Sequence, residues 1–154
     1  MFKRTRIFPR ISKITLLVAI TVCFFSNNFL QAQNFLDERT NTNEMSAITY
    51  LKMIAVSAKM YFSKNQKYPS SLAQLTEGPL PLIPPELASG GKNGYGFALQ
   101  PKVDENRKTI GFSVNAWPLK PGFTGNKYFY TDESEVIRYS LSGNATVNDK
   151  EFTF

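Results

Sequence analysis

Residues 43–62 (NEMSAITYLKMIAVSAKMYF) constrain this chain more than any other stretch. Ala47, Ile48, Leu51, Ile54, Ala55, Ala58, Tyr61 and Phe62 recur at steps of three and four. In a helix that spacing gathers them on one broad face, with Lys52, Lys59 and Ser63 opposite. No Gly or Pro interrupts the run. Asn41, three residues before Glu44, has the spacing of a helix start, where a side-chain oxygen takes a free backbone N–H. Such a helix needs an apolar surface to cover, and the rest of the chain has to supply it.

The remainder reads mainly as sheet and loop. Residues 64–68 are polar, and Pro69 stops the helix. Residues 70–75 read as a short helical segment capped by Ser70, with Leu72 and Leu75 inward. Residues 78–85 (GPLPLIPP) carry four prolines, which makes an extended loop pinned by Leu80, Leu82 and Ile83 rather than a ladder strand. Residues 89–96 (SGGKNGYG) form a turn cluster. As a phosphate loop it lacks the Lys-Ser/Thr ending and a following helix.

From Tyr95 the apolar period becomes two. Tyr95, Phe97 and Leu99 alternate with small residues, and residues 101–108 form a charged connector. In residues 109–117, Ile110, Phe112, Val114 and Ala116 share one face, while Thr109, Gly111, Ser113, Asn115 and Trp117 share the other. One buried and one wetter face indicate an antiparallel sheet. Residues 118–126 form an irregular loop. Residues 127–131 and 136–140 are short strands around a turn at 132–135, with Phe129 and Ile137 inward. Residues 141–154 are a polar tail expected to fray, with Phe152 and Phe154 able to dock. The expected fold is α+β: an N-terminal helix on a three- to four-stranded antiparallel sheet, in two layers.

Charge and composition narrow the function. The net charge of +6 is concentrated at the start: residues 1–32 hold Lys3, Arg4, Arg6, Arg10 and Lys13 and no acid. The rest is near neutral, so it has no electrostatic footprint for nucleic acid. The chain has no histidine and one cysteine, Cys23. That excludes a Ser-His-Asp triad, a Cys-His pair, a His-containing zinc site and an intrachain disulfide.

The basic start, the apolar run at 14–25 and the polar, small-residue stretch at 26–33 have the layout of a secretory signal. Cleavage is expected between Ala32 and Gln33. The alternative is an uncleaved anchor through residues 11–30. Asn27 and Asn28 interrupt it, and twelve helical residues rise only roughly 18 Å. A lipoprotein reading of Cys23 is disfavoured because bulky Val22 precedes it. The expected organisation is a signal at 1–32, an α+β domain at 33–140 and a tail at 141–154.

Several segments resemble the type IV pilin-like and major pseudopilin family. They are residues 43–47 (NEMSA), Tyr68-Pro69 followed by Leu72 and Leu75, residues 89–97, Ala116-Trp117-Pro118, residues 121–125 (PGFTG), and residues 128–134 followed by Val136-Ile137-Arg138. They fall in family order between 43 and 139. The resemblance implies a helix on an antiparallel sheet, polymerisation into pili or short pseudopili, and no enzymatic activity.

The chain also departs from that family. A prepilin leader ends in Gly, and a Glu follows near the start of its apolar helix. Here the first glycine is Gly78 and the first acid is Asp37. The family's spacing places its start near Ser12-Lys13 and its Glu near Leu17. Glu135 stands where the hairpin turn would have Gly.

The leading expectation is a secreted or periplasmic pilin-like structural or interaction protein, not self-polymerising, with protein partners in the envelope or in secretion or pilus machinery. The first alternative is a divergent, inner-membrane-anchored pseudopilin. The second is a ligand- or calcium-binding envelope module, with Asp132, Glu133 and Glu135 as oxygen ligands; a charged hairpin tip is more often a solvated turn. No cofactor is otherwise expected. Catalysis is not expected either. Ser57 and Lys59 lie two apart on a helix and do not face each other. Asp104-Glu105 and Asp132-Glu133 lie in polar segments, where carboxylates keep ordinary pKa values. Trp117 beside Pro118 is an aromatic-contact candidate, against a blander role in rim contacts.

Overall fold

The computed structural model describes the backbone of residues 13–153 and the side chains of residues 28–153. Lys3, Arg4, Arg6, Arg10 and the side chain of Cys23 lie outside the described residues, as does Phe154. Two compact units result, Met1–Asp37 and Glu38–Phe154. One helix, α1 (Lys13–Asn65), contributes to both. The expected helix start at Asn41 is therefore not a start: Asn41 and Glu44 lie well inside α1.

In the first unit, α1 exposes Phe29, Leu30 and Phe35. Among the described residues no helix is long and apolar enough to cross a membrane.

In the second unit, α1 buries the face its periodicity predicts. Ala47, Ile48, Leu51, Ile54, Ala55 and Ala58 are all buried, each large aliphatic one worth about 2 kcal/mol of apolar burial. Tyr61 is partly buried, and Phe62 stacks on Tyr68 at 4.5 Å, which in turn leans on Phe112. The helix ends at Gln66, whose φ of 57° is left-handed and whose N–H donates to the Phe62 carbonyl. This is a C-terminal cap that ends a helix before the proline is reached.

The connection to the sheet is built differently from the expectation. The short helical piece is a 3₁₀ turn at Ala73–Thr76, and Ser70 does not cap it with its side chain; its N–H donates to Gln74 Oε1. Ile83 is buried, as expected, and Leu82 is partly buried, but Leu80 is exposed. Ser57 Oγ donates to the Leu82 carbonyl at 3.0 Å, tying the proline-rich loop to α1. A short helix, α2 (Pro85–Ala88), follows and buries Leu87. It starts on a proline, whose missing N–H costs nothing at that position.

Six antiparallel strands follow in strict sequential order: β1 (Gly91–Lys92), β2 (Tyr95–Val103), β3 (Thr109–Pro118), β4 (Tyr128–Asp132), β5 (Arg138–Ser140) and β6 (Lys150–Glu151). Six strands replace the expected three to four. β1 and β6 are two residues each, too short to show a period. The β1–β2 hairpin turns on Asn93 and Gly94, both with positive φ, the combination a two-residue primed turn requires.

The face toward α1 carries Tyr95, Phe97, Phe112, Val114, Ala116, Phe129 and Ile137, all buried. Ile110 departs from the expected alternation and is 56% exposed. The register shifts at Lys102/Val103: Lys102 pairs with Gly111, and Val103 with Thr109. Ile110 is the extra residue of a β-bulge, and Thr109 takes the buried position.

The polar tail is structured. Lys150 pairs with Tyr139, and Phe152 packs edge-on against both Phe129 and Tyr139. Ala145 is buried, and its carbonyl accepts a bond from Asn115 Nδ2 at 2.8 Å. Arg138 Nη1 donates to the Asp149 carbonyl. This segment therefore packs Phe152 on the core side of the sheet and holds Ala145 against Asn115.

Candidate functional site

The acidic turn after β4 places its three carboxylates on three different partners. Asp132 accepts bonds from the Ser134 N–H, the Ser134 hydroxyl and the Tyr130 hydroxyl, at 2.9, 2.6 and 3.1 Å. Burial pushes its pKa up, but these donors and the Lys102 charge outweigh that and hold it below the ordinary value. The expected ordinary behaviour thus does not apply to Asp132. The Tyr130 phenol is pushed up to about 12, first by burial and then by its bond to Asp132.

Glu133 turns the other way. Its Oε1 accepts the Phe112 N–H beside the bulge, and Oε2 pairs with Lys102 at 2.9 Å. A side chain at Gly111 would collide with Glu133 Oε1. Glu135 reaches back to α1 and pairs with Lys59 at 2.6 Å. Its φ is +61°, the left-handed conformation that a glycine would adopt freely. Among the described residues no group of three His, Cys, Asp or Glu side chains is placed to hold a metal. The turn's oxygens cap and pair; they do not converge.

A second cluster fastens the β3–β4 loop to the helix. Glu44 Oε1 accepts the N–H groups of Asn126 and Lys127, and Oε2 pairs with Lys127 Nζ. Next to it on the same helix, Asn43 Nδ2 donates to the Thr124 carbonyl. Thr124 Oγ1 in turn accepts the Lys120 N–H. Tyr95 donates its hydroxyl to the Lys127 carbonyl. Its pKa is driven above the usual phenol range, first by burial and next by the Glu44 charge. A side chain at Gly125 would run into the Tyr95 ring. Sequence reading assigned Glu44 to helix capping. The available signal was its spacing, three and four residues before Ala47 and Ile48, which puts it on the buried face, where a carboxylate needs partners.

The solvent side of α1 is less polar than Lys52, Lys59 and Ser63 suggest. Met45, Val56 and Met60 are exposed there. Met60 and Tyr61 also border a cavity of about 350 Å³ with Lys64, Leu80 and Leu82. Ala32 and Gln33, the expected cleavage pair, are exposed and helical within α1. Trp117 is half-buried on the sheet face away from the helix, over its cross-strand neighbour Gly96.

No protein-family model, curated protein or solved structure matches the chain.

Proposed function

We propose that this is a secreted or periplasmic pilin-like protein, a structural or interaction module related to type IV pilus and type II secretion pseudopilus subunits. One observation carries the reading. The second half of α1 seals one side of an antiparallel meander, while Met45, Val56 and Met60 stay open on the helix's other side. A helix so divided holds a head together with one face and offers the other to a neighbour. Protein partners in the envelope or secretion machinery are the expected class. N-terminal sequencing of the exported protein tests the released form. A start at Gln33 supports it; a start near Lys13 with a methylated amine overturns it.

The continuity of α1 favours a second reading, a membrane-held divergent pseudopilin. The helix runs through Ala32 and Gln33 without a break, whereas a leader peptidase needs extended chain at its cleavage point. Fractionation after an alkaline wash separates the two, since release into the soluble fraction rejects the anchored form. Asp132, Glu133 and Glu135 each engage a separate protein partner.

A further inference from the structure

The sheet face away from α1 carries an open groove of about 380 Å³, lined by Ala98, Gln100, Asn115, Trp117, Tyr128 and Asn144. This volume lies within the roughly 300–1,000 Å³ typical of ligand sites. Its chemistry is selective. Two aromatic rings and three carboxamides line it, and no lining residue is charged. A charged ligand would find no counter-ion there, and a purely apolar one would strand the amides unpaired.

The groove is also held in shape. A Cβ on Gly96 would come within 2.5 Å of the Trp117 ring, so the indole lies over a strand position that has no side chain. The missing side chain is what lets the ring settle close to the sheet. Asn115 is fixed by its Nδ2 bond to the Ala145 carbonyl. That bond sets the orientation of the amide and leaves Oδ1 as its acceptor. Asn144 is carried to the groove by the C-terminal segment that Ala145 anchors.

We infer that this groove binds a neutral pyranose chain. The C–H bonds on one face of a pyranose carry small positive charges and settle on the negative face of an aromatic ring. Its hydroxyls both donate and accept, as carboxamides do. An open groove suits a polymer longer than the site itself. The inference goes beyond the proposed function and does not rest on it: it holds whether residues 1–32 are removed or retained.

Trp117 is the only tryptophan in the chain, so intrinsic tryptophan emission reports on this groove alone. The experiment titrates the full chain with two probes, a β-1,4-linked N-acetylglucosamine tetramer and a β-1,4-linked glucose tetramer. A neutral Asn/Gln-rich peptide serves as the competing class. The expected result is a saturable emission change with at least one saccharide, at a Kd of about 1 mM or tighter. Preference between the two tetramers reports whether an acetamido group is read. Gln100→Ala and Asn144→Ala sit at exposed positions and leave the reporter in place. Each should weaken binding about tenfold, the loss of one hydrogen bond that the bound state satisfies. Three results overturn the inference: no saccharide response up to about 10 mM, a response unchanged in both variants, or saturation by the peptide alone.

Discussion

Glu44 Oε2 lies 2.5 Å from Lys127 Nζ, across 83 positions of sequence. The carboxylate is almost fully buried and the lysine about one-third exposed. The same side chain takes the N–H groups of Asn126 and Lys127. Removing one member of a buried, hydrogen-bonded pair usually costs about 3–5 kcal/mol, and the partial exposure of Lys127 lowers that. Glu44→Ala should therefore destabilise the domain by about 3 kcal/mol. Urea unfolding followed by near-UV circular dichroism measures it. A loss below about 1 kcal/mol would mean that the clamp is dispensable.

Thr131 is fully buried in β4, and its hydroxyl has no hydrogen-bond partner. An orphaned buried hydroxyl costs about 1–3 kcal/mol. Val has nearly the same shape without the polar atom. Thr131→Val should raise stability by about 1 kcal/mol in thermal or urea unfolding. A destabilised variant would show that the hydroxyl finds a partner in solution.

Glu135 holds φ at +61° and pairs with Lys59. The backbone cost relative to glycine is about 1 kcal/mol. The pair is substantially exposed at both ends, which limits it to about 0–1 kcal/mol. The two effects nearly cancel in Glu135→Gly alone. In a Lys59→Ala background the pair is already lost, so adding Glu135→Gly should then stabilise by about 1 kcal/mol. The difference between backgrounds, read from a double-mutant cycle, gives the pair's own worth.

Asp132 is held below its ordinary value of 3.8. A depressed carboxylate contributes stability that is present above its unfolded pKa. That contribution is lost as pH falls through its folded pKa. Asp132→Asn should lower stability at neutral pH. The gap from the parent should narrow steadily below about pH 4 as the parent's own carboxylate protonates. Urea midpoints across the acid range test this; a constant gap would show that the charge is not what the turn uses.

The fold was legible wherever a residue's neighbours are local or periodic. The α1 core face and the Phe112-Val114-Ala116 row follow from period alone. The positive φ at Glu135 is a different case: only the resemblance to a family with glycine in that turn pointed to it. Ile110 was misplaced because a bulge inserts one residue without marking itself in composition. Glu44 was misplaced because a local capping pattern matched it, while its partners come from the β3–β4 loop. β6 and the buried Ala145 were missed because residues 141–154 are too polar and too short of period to mark them, although Phe152, named as able to dock, does so on Phe129 and Tyr139. The groove was legible only as Trp117, since its other walls come from three separate strands and the C-terminal segment.

The helix that closes the core is made before the sheet it covers. Its stripe from Ala47 to Ala58 is complete long before Ile137 and Phe152 exist to meet the same core. Synthesis at roughly 5–20 residues per second leaves an interval on the order of ten seconds. Over that interval the stripe has no sheet to cover. The most vulnerable moment in this protein's life is therefore set by chain order, and a holding factor that shelters residues 47–58 would matter most before the last strand is translated.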